Sequence, residues 1–233
     1  MPLGARDLLN SEFEKHYFTL RQSVYFGPFY GDPNLRLMDP HPFHALSYLT
    51  LPGGKPLTPG AAQGIFPAGT RVFVETVDMP TLGSMVGRPN FSPRYNGWAR
   101  LRVNRFDVKT PGFVDGTYIL IMPLGVTDPE AMGRWLKDIL GEDDAVRTWL
   151  ERRAPETLQA IAAKQARAGM SFEELVAALG NPDEVTKDVA LEGKTETARF
   201  GDLTVVLVED VVREIKGAPA APPPSPGAAA PVQ

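Results

Sequence analysis

Few residues of this chain are of types that could do chemistry. There are three histidines, His16, His41 and His44. Asp39-Pro40-His41-Pro42-Phe43-His44 places two imidazoles beside a carboxylate, a set that could ligate a divalent metal. A His-x-x-His in a proline-rich stretch has no helical geometry to preorganise it, so surface or partly buried loop histidines are the simpler reading. His16 falls on the apolar face of the first expected helix and reads as a satisfied core histidine rather than a base. Gly83-Ser84-Met85-Val86-Gly87 lacks the spacing of a nucleophile elbow. Gly53-Gly54-Lys55 lacks the upstream glycine and the following Ser or Thr of a phosphate loop. The pairs Asp143-Asp144 and Glu173-Glu174 open expected helices, where carboxylates complement the helix dipole. With no cysteine in the chain, disulfides, thiolate metal sites and a cysteine nucleophile are excluded. The chain therefore reads as a non-enzyme, with no metal or cofactor assigned.

The strongest local charge feature is basic. Between residues 79 and 109 lie Arg88, Arg94, Arg100, Arg102, Arg105 and Lys109 against one acid, Asp107. Phe91, Tyr95, Trp98 and Phe106 are interleaved with them. Arginines with stacking aromatics on a strand can hold single-stranded nucleic acid, an acidic protein surface or another anionic polymer. They also suit a solvated strand face whose arginine stems cover Trp98. Arg88, Arg94, Trp98, Arg100, Arg102 and Arg105 are the candidate partner-binding residues. The whole chain is not basic, with a net charge of −4, so any such binding must be local.

These residues need elements to position them. The 233 residues suit one or two domains, and a 43% hydrophobic fraction supports a real core. Leu9, Phe13, His16, Tyr17, Leu20 and Val24 recur at spacings of three and four, which predicts an amphipathic helix within residues 1–26. Residues 27–67 hold eight prolines and six glycines, so a turn-rich segment lying over a core is expected there. Strands are expected at 70–77, 98–103 and 116–122. In the second, Ala99, Leu101 and Val103 alternate against Trp98, Arg100 and Arg102. Helices are expected at 129–140, capped by Asp128, and at 143–153 and 155–168, with Pro155 at N1. Ser171 and Glu174 form a capping box for the next helix, with Met170 and Leu175 as its hydrophobic staple. Gly180 and Pro182 end that helix. Strands at 185–191, 195–200, 203–208 and 211–215 then make an antiparallel meander. Residues 217–233 carry six prolines and six alanines and read as a disordered tail, either a spacer or a ligand for an aromatic groove.

Ala166 to Asp183 resembles the opening motif of the SmpA/OmlA (BamE-like) lipoprotein family. The residues carrying the likeness are Gly169, Met170, Ser171, Glu174, Leu179, Gly180 and Pro182. The chain departs from the family in lacking a lipidated cysteine, in having Thr197-Ala198-Arg199-Phe200 where a Trp-x-Tyr pair is usual, and in its longer N-terminal part. The resemblance implies an α+β adaptor module of the kind that scaffolds partners in the bacterial envelope. Residues 65–123 resemble, more loosely, a bacterial SH3-like barrel through Gly69-Thr70-Arg71-Val72-Phe73-Val74, Gly97-Trp98 and Gly116-Thr117-Tyr118.

The expected organisation is α+β. An N-terminal helix (1–26) precedes a Pro/Gly-rich segment with an SH3-like β module (27–125). A helical connector (126–168), a BamE-like module (169–216) and a tail (217–233) follow. The function expected is a non-enzymatic interaction or scaffold protein with a protein partner, associated with envelope assemblies. The alternative is a binder of nucleic acid or another anionic polymer. No signal-like or membrane-spanning run stands out, so the chain as written reads as cytoplasmic, with envelope association as the alternative should the start be mis-assigned.

Overall fold

The computed structural model describes residues 3–105, 112–114, 116–123, 126, 128–190 and 193–217. The chain is α+β, with six helices and two sheets among the described residues, and neither sheet closes into a barrel. The SH3-like barrel expected over 65–123 is thus replaced by part of a larger open sheet. The expected tail beyond Gly217, and Phe106, Asp107 and Lys109, lie outside the described residues.

The N-terminal part runs α1 (Leu3–Phe13), β1 (Tyr17–Leu20), β2 (Val24–Phe29), β3 (Asp32–Asp39), a 3-10 turn at Phe43–Ala45, β4 (Gly64–Phe66) and β5 (Arg71–Asp78). It continues with α2 (Leu82–Val86), β6 (Trp98–Arg105), β7 (Gly112–Phe113), β8 (Thr117–Ile121), α3 (Pro129–Ile139) and β9 (Leu140–Gly141). The large sheet has the order β4-β2-β3-β8-β6-β5-β1-β9, with β7 added to β6. Its β3–β8 pair is parallel, and the other pairings are antiparallel.

The first helix stops at Phe13, not near residue 26. Leu9 and Phe13, one helical turn apart, are buried in the core, but Lys15 takes a left-handed φ of 64° and turns the chain into β1. Tyr17 then pairs with Phe73 of β5, and His16 is exposed rather than held in a core. Aromatic and β-branched residues favour the pleated state once a partner strand is present.

Alternation in the strands sorts their side chains to two faces. On one face Val72, Val74, Leu101, Val103, Leu120 and Met38 pack under α1 and α3, which contribute Leu9, Phe13, Met132, Leu136 and Ile139. On the other face Trp98, Ile119, Ile121, Leu37 and Phe29 are covered by Phe43 and Leu46. The Pro/Gly-rich stretch does lie over a core, but it also contributes β3, an eight-residue strand.

The C-terminal part contains α4 (Asp143–Glu151), α5 (Pro155–Ala162), α6 (Phe172–Leu179), β10 (Glu184–Ala190), β11 (Gly193–Phe200), β12 (Leu203–Val208) and β13 (Val211–Lys216). The four strands form a meander in sequence order. Ser171 accepts from the Glu174 amide and the Glu174 carboxylate accepts from the Ser171 amide, closing the expected capping box. Leu175, Ala178, Ile161, Ala198, Val205 and Leu207 make the second core.

The expected helical connector is divided between the two cores. Asp128 caps α3 as expected, but α3 belongs to the first core and α5 to the second. The two parts are stitched at Ser23, in the turn between β1 and β2. Its amide donates to Ala177 O at 2.8 Å, and its hydroxyl donates to Ile161 O at 2.7 Å. No helix is long and apolar enough to cross a membrane among the described residues.

Candidate functional site

Of the expected arginine face, Arg88 and Trp98 are turned inward, while Arg94, Arg100 and Arg102 stay part-exposed. Trp98 is fully buried, edge-on to Phe29 at 5.3 Å, and its indole N–H donates to Pro93 O at 3.0 Å. Arg88, only 4% exposed, stacks over that indole at 4.1 Å. Its guanidinium donates to the carbonyls of Arg94, Asn96 and Asp78. Burial lowers its pKa to about 10, with the Arg100 charge adding to the fall and Asp78 opposing it, so it remains a cation at neutral pH.

The strand does bring Arg100 and Arg102 to the Trp98 face, but each has an acid. Arg100 meets Asp78 at 3.4 Å, and Arg102 meets Glu75 at 4.0 Å while lying over the Phe113 ring. Arg94 donates to Met85 O and to Asn90 Oδ1. The Arg105 side chain lies outside the described residues. Two of these charges, Arg100 and Arg102, are thus paired with carboxylates within the fold, whereas Arg88 and Arg94 are held by uncharged acceptors.

The same segment presents a different surface to solvent. Between β5 and β6 the chain makes an excursion pinned from inside. Thr81 and Ser84 form a capping box at the start of α2, and Ser84 Oγ also donates to Met79 O. Asn96 Nδ2 donates to Met122 O at 2.8 Å, and Arg88 gathers three carbonyls beneath. Held on this frame, Leu82 is 83% exposed, Val86 81%, Phe91 78% and Tyr95 69%. Leu82 and Val86 share a helix face at i and i+4. The Arg94 bond to Met85 O draws the second half of the excursion, with Tyr95, against the first. Large exposed apolar clusters are uncommon on soluble surfaces and mark docking sites. Comparison with family models, curated proteins and solved structures returns no match.

The remaining chemistry is buried at the junction of the two parts. Lys164 follows α5 in a left-handed conformation, φ 54°, and is 5% exposed. Its ammonium donates to Ser23 O at 2.6 Å and to Ala178 O at 2.8 Å, and it lies 4.9 Å from the centre of the Tyr25 ring. Burial lowers its pKa to about 7, against the pull of Asp39.

Asp39, 1% exposed at the end of β3, accepts from the Tyr48 hydroxyl and from the His41 amide at 2.7 Å. His41 Nδ1 lies 3.1 Å from the same carboxylate and Nε2 lies 3.3 Å from Asn181 O. Both neighbours are acceptors, so only the imidazolium satisfies both contacts. Burial pulls the His41 pKa down, but the Asp39 hydrogen bond and charge, with Asn181 O, outweigh it and leave a net rise. Burial, reinforced by Asp39, raises the Tyr48 pKa well above its usual value.

His44 is exposed on the 3-10 turn, so the His41–His44 pair is not brought together as a chelate. No cluster of three or more His, Asp or Glu groups suited to a metal forms among the described residues. Lys164 went unnoticed in the sequence, because a lone lysine after a helix carries no spacing signal, and Asp39 was read there only as a carboxylate that could join His41 and His44 on a metal. What the cluster does is mechanical: one ammonium ties a turn of the first part to the carbonyl end of α6, where the helix dipole also favours a cation.

Proposed function

We propose that this chain is a non-enzymatic interaction protein whose docking surface is the excursion between β5 and β6. The observation that carries the proposal is the exposure of Leu82, Val86, Phe91 and Tyr95 on a segment pinned by internal hydrogen bonds. A rigid apolar surface loses little conformational entropy on binding, and aromatic anchors supply most of the energy at such contacts. The partner is a protein with a complementary apolar groove.

The helix-then-meander order after Ser171 supports the further proposal that the C-terminal part is a BamE-like adaptor module serving an envelope assembly. That proposal rests on the Gly169–Pro182 motif. The test is quantitative affinity capture from source cells with the wild-type chain and a Phe91→Ser/Tyr95→Ser variant. A protein retained stoichiometrically by the wild type and lost by the variant supports the reading. Equal retention by both, or capture of lipid vesicles in place of protein, overturns it.

A further inference from the structure

A second site lies away from that excursion and does not depend on it. Where the β1–β2 turn, the end of α3, α4 and α6 converge, they leave an open cleft of about 440 Å³. That is within the range of small-ligand pockets. Val146, Trp149 and Val176 form its apolar wall. The opposite face of the wall is fixed, because Arg153 stacks on the Trp149 ring at 4.3 Å.

At the base is Gln22, 1% exposed. Its Nε2 donates to Asp138 O at 3.0 Å, which fixes the amide and leaves Oε1 buried with no partner. A buried acceptor without a donor is costly, and natural folds leave few. The oxygen therefore has no donor within the chain. The rim adds charge: Asp138, Glu142 and Glu173 face the cleft against one cation, Arg21. Arg21 donates to Lys137 O, and Glu173 shares Arg153 with Glu174. Asp138 and Glu142 have no ion-pair partner among the described residues. An unpartnered acceptor, two free carboxylates and an apolar wall are together complementary to a cationic donor on a hydrocarbon stem.

We propose that this cleft binds an alkylammonium, carried either by a free amine or by a lysine side chain. The ammonium lies between Asp138 and Glu142, while the stem runs along Val146, Val176 and the Trp149 ring; Gln22 Oε1, which has no exposed surface, accepts from the ammonium only once its side chain shifts toward the cleft. The buried Trp149 Nε1–H also lacks a partner. Once exposed to the cleft, it can donate to a carbonyl, which a lysine residue in a peptide has and a simple amine lacks.

The experiment follows the Trp149 indole N–H resonance of the full chain, assigned with Trp149→Phe, during titration with n-pentylamine, N-acetyl-lysine-N-methylamide, pentanol and hexanoate. Saturable shifts with the amines, and none with pentanol or hexanoate, are expected. Tighter binding of pentylamine assigns the site to a free amine, and tighter binding of the lysine derivative assigns it to a protein side chain. Asp138→Asn/Glu142→Gln, both at exposed positions, is expected to weaken the better probe about tenfold with the melting temperature unchanged. No saturable shift with either amine, an equal response to pentanol, or unchanged affinity in the double variant overturns the proposal. Since neither Phe91 nor Tyr95 enters this readout, its failure leaves the docking proposal standing, and the converse holds.

Discussion

Lys164→Met tests the buried clamp through its pH dependence. Burial lowers the folded-state pKa of Lys164 from 10.5 to about 7. Between those values the unfolded chain binds a proton that the folded chain releases. Stability therefore rises with pH across this window, at up to about 1.4 kcal/mol per pH unit, and by about 5 kcal/mol over the full span. Below pH 7 both states are protonated and the contribution is flat.

Neighbouring groups narrow the useful range. His41, with its raised pKa, lends stability that is present below pH 6.5 and lost as pH rises through its folded value. Tyr25, Tyr30 and Tyr48 have raised pKa values, so their effect begins only near pH 10, where the unfolded phenols ionise. Between pH 8 and 9.5 the Lys164 contribution is about 2 kcal/mol.

Methionine keeps most of the apolar stem and removes the ammonium. Its absolute effect is the difference of two opposed quantities. Two buried carbonyls lose a donor, at roughly 1–3 kcal/mol each, while the desolvation of a charge is relieved. The slope is the discriminating quantity. Urea denaturation at intervals from pH 8 to 9.5 is expected to show wild-type stability climbing by about 2 kcal/mol more than that of Lys164→Met. Parallel profiles would refute the claim that burial lowers the Lys164 pKa in the fold.

Other consequences follow from the same contacts. Ser23→Ala removes the donor to Ile161 O and the acceptor for the Ala68 amide, and is expected to cost about 1–3 kcal/mol in chemical denaturation. The two parts should still unfold in one transition, since Lys164 and the Ser23 backbone continue to join them. Ser171→Ala opens the capping box of α6 and should lower stability by about 1 kcal/mol, while Ser171→Asp should retain most of it. The His41 ring, followed by NMR, should titrate above 6.5, and Asp39→Asn should bring its midpoint down.

The C-terminal module was readable because its signals are local. The Ser171–Glu174 box, Gly180 with its φ of 92° and Pro182 each mark a boundary within a few residues of the feature they control. The meander pairs strands adjacent in sequence, so alternation alone places them. The N-terminal part resisted for the opposite reason. Leu9 to Val24 recur at helical spacing, but Tyr17–Leu20 is claimed by β5, about fifty residues away, and by β9. Pairing at that range leaves no mark in a local period. The same holds for Arg88. Composition shows a guanidinium beside aromatics, whereas its burial depends on Arg94, Asn96 and Asp78 turning their carbonyls toward it. Gln22, Trp149 and Asp138 meet only through the packing of α3, α4 and α6, so the cleft had no linear motif.

Site-specific photocrosslinking tests the docking surface most directly. A photoreactive phenylalanine analogue at position 91, with a control at exposed position 44, would be activated in source cells and the adducts resolved by mass. The interaction reading expects one discrete protein adduct from position 91, absent from position 44 and abolished by Leu82→Ser/Val86→Ser. No adduct at position 91 above the control would contradict it.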